Sequence, residues 1–310
     1  MSVNEKTGYD LLVITGPTAS GKTSLAVNVA SRLGGEIISA DSRQVYRGMD
    51  LGTGKDYSEY FIGGRQVPVH LMDIADPGYK YNVFEYQRDF KDVYYDLRRK
   101  GIFPIVCGGS GLYIDSIISG YRMFEVPPDS GLRVQLEKKS MEELGDILKS
   151  FKSLHNITDL DSKKRVIRAI EIEYFNNSKS ATQSGFPALR TLVTAVSVER
   201  ETRRKSITSR LNQRLKAGMV EEVKALLEKG VSAESMIYYG LEYKYITLYL
   251  TGKTSYDDMV KGLETAIHQF AKRQMTWFRG MEKKGTRINW IDGELPMGKK
   301  VEKVLSLLKE

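Results

Sequence analysis

Apolar residues in the first 120 positions come in short runs separated by amphipathic stretches. Leu25, Val29 and Leu33 recur at helical spacing after the first run, and the pattern at 83–100 is also helical. The apolar runs are short and rich in strand-forming residues; they are LLVIT (11–15), EIISA (36–40), VHLMD (69–73) and FPIVCGG (103–109). Alternating strands and helices predict an α/β fold, a parallel, doubly wound sheet with its ligand at the carboxyl ends of the strands.

The pattern changes at about residue 124. Residues 124–188 contain the Pro127–Pro128 pair and then charge-rich helical sequence without a convincing strand. The next strand pattern is TLVTAVSV at 191–198, and from 200 onward the sequence is helical again, with one helical stretch closing at Gly230. We therefore predict an inserted all-helical domain at 124–188, within a core formed by 1–123 and 189–310.

Composition bears on the binding partners of the protein, through its net charge, and on its location in the cell. The 310 residues carry 47 Lys and Arg against 39 Asp and Glu, a formal charge of +8, which favours polyanionic partners where the excess is clustered. The single cysteine, Cys107, excludes an internal disulfide and lies in an apolar run that predicts burial. No apolar stretch approaches the roughly 20 residues that span a bilayer, and the N-terminus lacks a signal-like apolar segment, so we expect a cytoplasmic protein without membrane contact.

The stretch GPTASGKT at 16–23 has the spacing of a phosphate-binding loop between a strand and a helix. Gly16 and Gly21 let backbone N–H groups face phosphate oxygens, Lys22 supplies a cation, and Thr23 offers a hydroxyl to Mg²⁺. An ordinary glycine-rich turn is the alternative. The Asp-Glu pair typical of ATPases and the Asn-Lys-x-Asp run of guanine-binding proteins are both missing from the sequence, so the loop by itself identifies a polyphosphate and no reaction.

Candidate chemistry follows two further strands. Asp41, at the end of the second strand, could accept a proton from an incoming acceptor, although a cap or a solvated turn explains a lone Asp equally well. Asp73 and Asp76 are weaker candidates, because turn roles account for both. The glycines around Ser110 allow backbone to approach a ligand, or form a tight strand-to-helix turn.

Basic residues concentrate in three places, which predicts a surface for a polyanion. Solvated helix faces are the alternative for each cluster, and Trp277 with Phe278 could equally be core residues. Arg210 could reach the phosphate site and neutralise a departing pyrophosphate. The clusters are Lys163, Lys164, Arg165 and Arg168; Arg200, Arg203, Arg204, Lys205, Arg210 and Arg214; and Lys272, Arg273 and Arg279 beside Trp277 and Phe278.

Six motifs occur in the order and at the distances found in one enzyme family, and they cover residues 11 to 290. They are GPTASGKTSLA, ISADSRQVYRGMDLGTGK, HLMDIADP, PIVCGGSGLYI, RVIRAIEI and AKRQMTWFRG. In them the chain resembles the tRNA dimethylallyltransferases, also called tRNA isopentenyltransferases. The resemblance implies a sheet similar to that of P-loop kinases, with an inserted helical domain.

The resemblance also implies a reaction, transfer of a dimethylallyl group from dimethylallyl pyrophosphate to N6 of the adenosine 3′-adjacent to the anticodon, in tRNAs reading codons that begin with U. Mg²⁺ on Thr23 would assist, Asp41 would be the general base, and Lys22 and Arg210 would neutralise the leaving group. The implied pyrophosphate-holding residues are Gly16, Pro17, Thr18, Ala19, Ser20, Gly21, Lys22 and Thr23. The implied contacts to the anticodon stem-loop are Asp41, Ser42, Arg43, Gln44, Ser110, Arg133, Lys164, Arg165, Val166, Ile167, Arg168, Lys272 and Arg273. We expect a monomer.

Three departures from the family pattern lie where tRNA is expected to bind. Ser110 replaces the usual Thr, YYGLEYKYI at 238–246 replaces a Gly-Tyr-Arg/Lys type of sequence, and LDSKKR at 160–165 lacks the usual lead into the basic helix. Three alternatives stay open. They are a small-molecule or nucleotide kinase, a nucleotide-gated RNA-binding module, and an enzyme that prenylates free adenine nucleotides.

Overall fold

A computed structural model describes residues 7–121, 125–151, 160, 162–178 and 188–310. The chain forms two compact units, one made of Met1–Gly120 with Pro187–Glu310 and the other of Tyr121–Phe186. Several features of the sequence prediction lie outside the described residues. These are the first residue of the predicted insertion, 124, its stretches 152–159 and 179–187, and Asp161 of the LDSKKR sequence.

The larger unit is built on a six-stranded sheet in the order β5-β2-β6-β1-β7-β8, in which every pairing is parallel. Its strands are β1 (Leu11–Thr15), β2 (Glu36–Ser39), β5 (Val69–His70), β6 (Pro104–Gly108), β7 (Thr191–Ser197) and β8 (Ile288–Asp292). A separate antiparallel pair joins β3 (Phe61–Ile62) to β4 (Arg65–Gln66) after a short 3₁₀ turn at Tyr57–Tyr60. The predicted parallel α/β sheet is confirmed.

Helices connect these strands. In the larger unit they are α1 (Lys22–Leu33), α2 (Val83–Arg99), α3 (Gly111–Ile118), α7 (Arg200–Lys216), α8 (Met219–Glu228), α9 (Ala233–Tyr239), α10 (Leu241–Leu250), α11 (Tyr256–Lys283) and α12 (Met297–Leu307). The smaller unit contains α4 (Ser130–Glu137), α5 (Met141–Phe151) and α6 (Lys163–Ser178), and no strand among its described residues. Within the described part of the chain, no helix is long and apolar enough to cross a membrane.

Burial on both sides of β1 explains why its first four residues are all apolar. Leu12 and Ile14 belong to a core cluster with residues of α1 and α12. Leu11 and Val13 alternate to the opposite face and are also fully buried. A strand covered on both faces has no polar side, and this is the pattern expected of a parallel sheet between helices.

Three expectations about single elements are wrong. The run at 69–73 pairs only through Val69 and His70, because Leu71 (φ 59°) and Asp73 (φ 55°) have left-handed backbone that ends the strand. Strand β8 interrupts the sequence after 200 that was predicted to be helical, and it completes the sheet beside β7. The long helix expected to end at Gly230 is divided at Gly218, whose φ of 100° ends α7 and begins α8, while its predicted end at Gly230 (φ 92°) is confirmed.

Among the described residues of the smaller unit, helices α4, α5 and α6 enclose a small apolar core. Leu144 and Leu148 of α5 pack with Val166, Ile167 and Ile170 of α6. The few apolar residues of this charge-rich sequence are therefore the ones that pack inside the unit.

Candidate active site

The glycine-rich loop leaves β1 and enters α1 at Lys22. Gly16 has a φ of 150°, and a Cβ there would lie 2.8 Å from Ser20 Oγ and 3.0 Å from the Val196 carbonyl oxygen. Only glycine therefore allows the loop to lie this close to β7. The loop ends at Gly21, whose left-handed φ of 78° precedes the first N–H groups of α1. The backbone here has the geometry of an anion-binding loop.

Hydrogen bonds join the carboxyl ends of β1, β2 and β6. The Thr15 hydroxyl donates to the Gly108 carbonyl at 2.8 Å. The Ser110 N–H donates to the Ala40 carbonyl at 3.1 Å, and the Ser42 N–H donates to Ser110 Oγ at 2.9 Å. A Cβ at Gly108 would overlap the Ala40 carbonyl. The expected proximity of the phosphate loop, the Asp41 turn and the Gly108–Ser110 turn is confirmed.

Gln274 of α11 links two of these turns, and the sequence interpretation missed it. Its side chain is buried and uses both ends of the amide. The Thr18 N–H donates to Gln274 Oε1 at 2.8 Å, while Gln274 Nε2 donates to the Gly109 carbonyl at 2.9 Å. The Thr18 N–H is thus bonded within the protein, so the other amides of the loop are the ones that can face a phosphate.

Asp41 begins the turn that follows β2. Its Oδ1 accepts hydrogen bonds from the backbone N–H groups of Arg43 at 2.8 Å and Gln44 at 3.4 Å. The turn-capping role considered as an alternative is therefore present. Its Oδ2 accepts no hydrogen bond from any described residue, so the same carboxylate can hold the turn with one oxygen and accept a proton with the other.

Three cations surround the loop. Arg210 and Arg214 of α7 line one cavity with Thr18, Ala19 and Glu242, and Arg210 also acts electrostatically on Lys22. Burial lowers the pKa of Lys22, and burial also lowers the pKa of Arg214. Within the described ranges no carboxylate forms an ion pair with any of the three. Positive charges held together without carboxylate partners indicate a site for an anion.

Two carboxyl groups close to these cations are partly removed from water. Burial raises the pKa of Glu242 to about 7. Burial likewise raises the pKa of Glu59, against the opposing effect of Arg210. At neutral pH Glu242 is therefore only partly ionised and offsets less of the positive charge than a fully ionised carboxylate would.

The oxygen donors near the loop suit a hard divalent ion such as Mg²⁺. Thr23 lies in the first turn of α1, next to Cys107 of β6. The buried Ser20 hydroxyl has no partner among the described residues. Those residues contain no cluster of three or more His, Cys, Asp or Glu side chains that could hold a metal. Mg²⁺ commonly takes one or two protein oxygens and completes its shell with phosphate and water, so this donor set fits it.

Cys107 is buried as predicted.

The residues predicted to contact RNA in the larger unit have distinct surroundings. Gln44 Nε2 donates to the Gly54 carbonyl at 3.3 Å, and the Ser110 hydroxyl accepts from Ser42. Lys272 and Arg273 are exposed on α11. Phe278 is a core residue, while Trp277, 37% exposed, packs against Gly111. The core alternative is therefore right for Phe278, and Trp277 is only partly covered.

The smaller unit requires a correction. Val166 and Ile167 are buried in its core, so their side chains do not form the RNA contact predicted for them. Arg133 forms a bidentate ion pair with the buried Glu171, both bonds at 2.9 Å, and Arg168 also pairs with Glu171. Despite the opposing effect of burial, the two guanidinium groups lower the pKa of Glu171.

Arg133 and Arg168 therefore stabilise the smaller unit through their ion pairs with Glu171, whether or not they also bind RNA. Their side chains remain about 40% exposed. Lys164 and Arg165 are the exposed cations of the predicted contact on α6.

Comparison with known proteins assigns the family. The family model described as IPP transferase matches residues 44–281, and the model described as isopentenyl transferase matches residues 9–75. The chain belongs to the IPP transferase family.

Two curated relatives and a solved structure are similar over nearly the whole chain. The tRNA dimethylallyltransferase 2 of Bacteroides fragilis is 60% identical over 97% of this chain and 99% of its own length. The tRNA dimethylallyltransferase 1 of Parabacteroides distasonis is 52% identical, over 97% of this chain and 98% of its own. The tRNA delta(2)-isopentenylpyrophosphate transferase structure from Staphylococcus epidermidis is 31% identical with a TM-score of 0.68, covering 96% of this chain and 97% of the other.

Sequence signals existed for Gln274, which was missed, and for the position of Arg214 at the phosphate loop, since Arg214 was assigned only to a basic cluster. Gln274 is a polar residue in the apolar stripe of α11, between Ala271 and Phe278, which marks it as buried and hydrogen-bonded. Arg214 lies one helical turn after Arg210, so the two share a face of α7. Glu242 gave no comparable signal, because its placement depends on packing between α7 and α10.

We predict that Gln274→Met lowers the free energy of unfolding by roughly 1–3 kcal/mol, because it leaves the Thr18 N–H and the Gly109 carbonyl without partners. Urea denaturation measures the change. Gln213→Met, on the exposed side of α7, is the matched control and should change the stability by less than about 0.5 kcal/mol. Equal midpoints for both variants would contradict the linking role of Gln274.

We predict that Glu242→Gln alters the pH dependence of stability. The pKa of Glu242 is raised from 4.5 to about 7 in the folded state, so folding favours the protonated form. That contribution is full below about pH 4.5 and is lost as the pH rises through about 7. The neutral Gln variant should therefore gain stability relative to the unmodified protein between about pH 5 and pH 8. Denaturation at both pH values, with Glu228→Gln as an exposed control, measures it; parallel curves would disprove the shift.

Proposed function

We propose that this chain is a tRNA dimethylallyltransferase, transferring a dimethylallyl group from dimethylallyl pyrophosphate to N6 of the adenosine 3′-adjacent to the anticodon, in tRNAs that read codons beginning with U. The observation that carries the proposal is the meeting of three cations without carboxylate partners at a phosphate loop, beside an aspartate with a free oxygen. The names of relatives that match the chain over nearly its full length support it.

The loop serves to hold a leaving group. When the bond between the allylic carbon and the pyrophosphate oxygen breaks, its electron pair leaves with pyrophosphate, and negative charge grows on the bridging oxygen. Lys22, Arg210 and the loop amides stabilise that charge, and Arg214 adds a third cation to the same cavity. Because Glu242 is only partly ionised at neutral pH, it reduces this positive potential less than a fully ionised carboxylate would.

The acceptor nitrogen forms the new carbon–nitrogen bond and loses a proton. Asp41 Oδ2 receives that proton while Oδ1 keeps its bond to the Arg43 N–H. Adenine N6 is not accessible within a stacked loop, so the base has to be extruded to meet the donor. Mg²⁺, held by the Thr23 hydroxyl and the pyrophosphate oxygens, would supply further neutralisation of the leaving group. We further propose that the protein acts as a cytoplasmic monomer.

The test is transfer of label. With Mg²⁺, labelled dimethylallyl pyrophosphate and bulk tRNA, the purified protein should place label in tRNA. Retention of the label in the donor while ATP is consumed would instead favour a kinase. Label in free AMP but not in tRNA would favour a nucleotide prenyltransferase.

We predict that Asp41→Asn lowers the transfer rate roughly a hundredfold to ten-thousandfold while tRNA binding is retained, because Asn still caps the turn but accepts a proton poorly. Single-turnover kinetics measures the rate, and filter binding measures the affinity. Asp76→Asn, which removes a surface carboxylate paired with Arg47, is the control and should transfer normally. Near-normal transfer by Asp41→Asn would eliminate the base assignment.

We predict that Lys164→Ala combined with Arg165→Ala weakens tRNA binding and reduces the slope of log K against log salt by about 1–2, because each phosphate contact releases counterions. Titration at several salt concentrations measures the slope. Neither residue belongs to the ion pairs of Glu171, and circular dichroism of the double variant checks that the smaller unit keeps its fold. The control is Lys303→Ala combined with Lys309→Ala, which removes the same charge from α12 and from the residues after it, and should leave the slope unchanged. Equal slopes for the two double variants would contradict the proposed contact.

A further inference from the structure

Tyr238, in the last turn of α9, is an exposed aromatic residue close to the candidate active site. Its side chain is 51% exposed, whereas the next residue, Tyr239, is buried. Tyr238 opens the 238–246 stretch, which departs from the family pattern, and the proposed function gives the Tyr238 ring no role. A large exposed ring close to the candidate active site is a candidate contact for a ligand.

The Tyr238 ring packs against Tyr239, which is itself held by several contacts. Tyr239 lies edge-on to it with the ring centroids 6.0 Å apart, and Tyr239 also contacts Tyr46 at 4.6 Å. The Tyr239 hydroxyl accepts from the Gly78 N–H at 2.5 Å and donates to the Tyr79 carbonyl at 3.0 Å. Because these bonds fix α9 against the loop at 78–79, Tyr238 is held in place before any partner arrives.

Two cations lie over the Tyr238 ring. Lys80 Nζ lies 5.3 Å from the centroid of the Tyr238 ring, and the Arg43 guanidinium carbon lies 5.9 Å from it. Both distances are those of cation–π contacts. An exposed ring with positive charge beside it presents a stacking face and phosphate partners together, which is the combination that single-stranded nucleic acid requires.

Arg43 connects this ring to the reacting group. Its backbone N–H is bonded to Asp41 Oδ1, and its guanidinium also lies 5.8 Å from the Tyr239 ring. The aromatic face is thus one side chain away from the aspartate assigned as the base. A nucleotide adjoining one whose base reaches Asp41 would lie within this neighbourhood.

We propose that Tyr238 is a stacking platform for a nucleobase that flanks the target adenosine, with Arg43 and Lys80 contacting the adjoining phosphates. The inference rests on the proposed function. It adds a contact between the protein and a base of the tRNA other than the adenosine that is modified. Extruding one base removes a stacking partner from each neighbour. An aromatic ring restores one of those contacts and holds the loop open.

The experiment measures binding of a fluorescent anticodon stem-loop, without donor, to the unmodified protein, Tyr238→Ala and Tyr238→Phe. Loss of the ring should raise the Kd roughly fivefold to a hundredfold, and Phe should restore the affinity. The salt slope should stay unchanged, because Arg43 and Lys80 remain. The KM for dimethylallyl pyrophosphate should not change. Tyr256→Ala, which removes another exposed tyrosine, is the control and should bind normally.

Stem-loops with an abasic site on either side of the target adenosine identify the stacked base. For one of them, Tyr238→Ala should have no further effect, since the base that stacks is already absent. Unchanged binding by Tyr238→Ala, or full additivity with both abasic stem-loops, would overturn the inference. Label transfer to tRNA by the unmodified protein is measured in parallel, and its failure would count against the proposed function independently of the Tyr238 result.

Discussion

Hydrogen bonds from side chains to backbone groups hold the ends of β1, β2 and β6 together, and the candidate site depends on them. Thr15 bonds to Gly108, Ser110 to the turn at Ser42, and Gln274 to both Thr18 and Gly109. The loops that carry the anion-binding amides and Asp41 are therefore fixed by the protein itself. Such pre-organisation is what a reaction with a developing charge requires, because little reorganisation is left for the moment of bond cleavage.

The same residue types have opposite surroundings in the two units. In the smaller unit Arg133 and Arg168 enclose Glu171, a buried carboxylate that neutralises them and is neutralised in turn. In the larger unit Arg210 and Arg214 share a cavity with Glu242, whose pKa is raised to about 7 by burial. The first arrangement is complete without a ligand. The cavity of Arg210 and Arg214 retains positive charge in partly desolvated surroundings, which favour a multiply charged anion such as pyrophosphate.

The sequence predicted those parts of the site whose residues are close along the chain. Glycine spacing and the flanking strand and helix identified residues 16–23, and strand ends identified Asp41 and Ser110. The sequence did not predict the contact between Thr18 and Gln274, because 256 positions separate them and only the packing of α11 brings them together. Strand β8 was missed for a related reason, since its five residues become a strand only by pairing with β7. The capping of the Asp41 turn could be anticipated, but not which oxygen stays free.

The basic stretch from Lys163 to Arg168 shows why a cluster in sequence is not yet a surface. A helix turns about 100° per residue, so neighbouring side chains point in different directions. Lys164 and Arg165 face solvent, Val166 and Ile167 enter the core, and Arg168 turns to Glu171. The helix therefore offers fewer charges to RNA than its sequence suggests. Phosphate contacts also position a nucleic acid without identifying its bases. Discrimination among bases has to come from hydrogen bonds to base edges, because stacking on an exposed ring such as Tyr238 holds a base in place without identifying it.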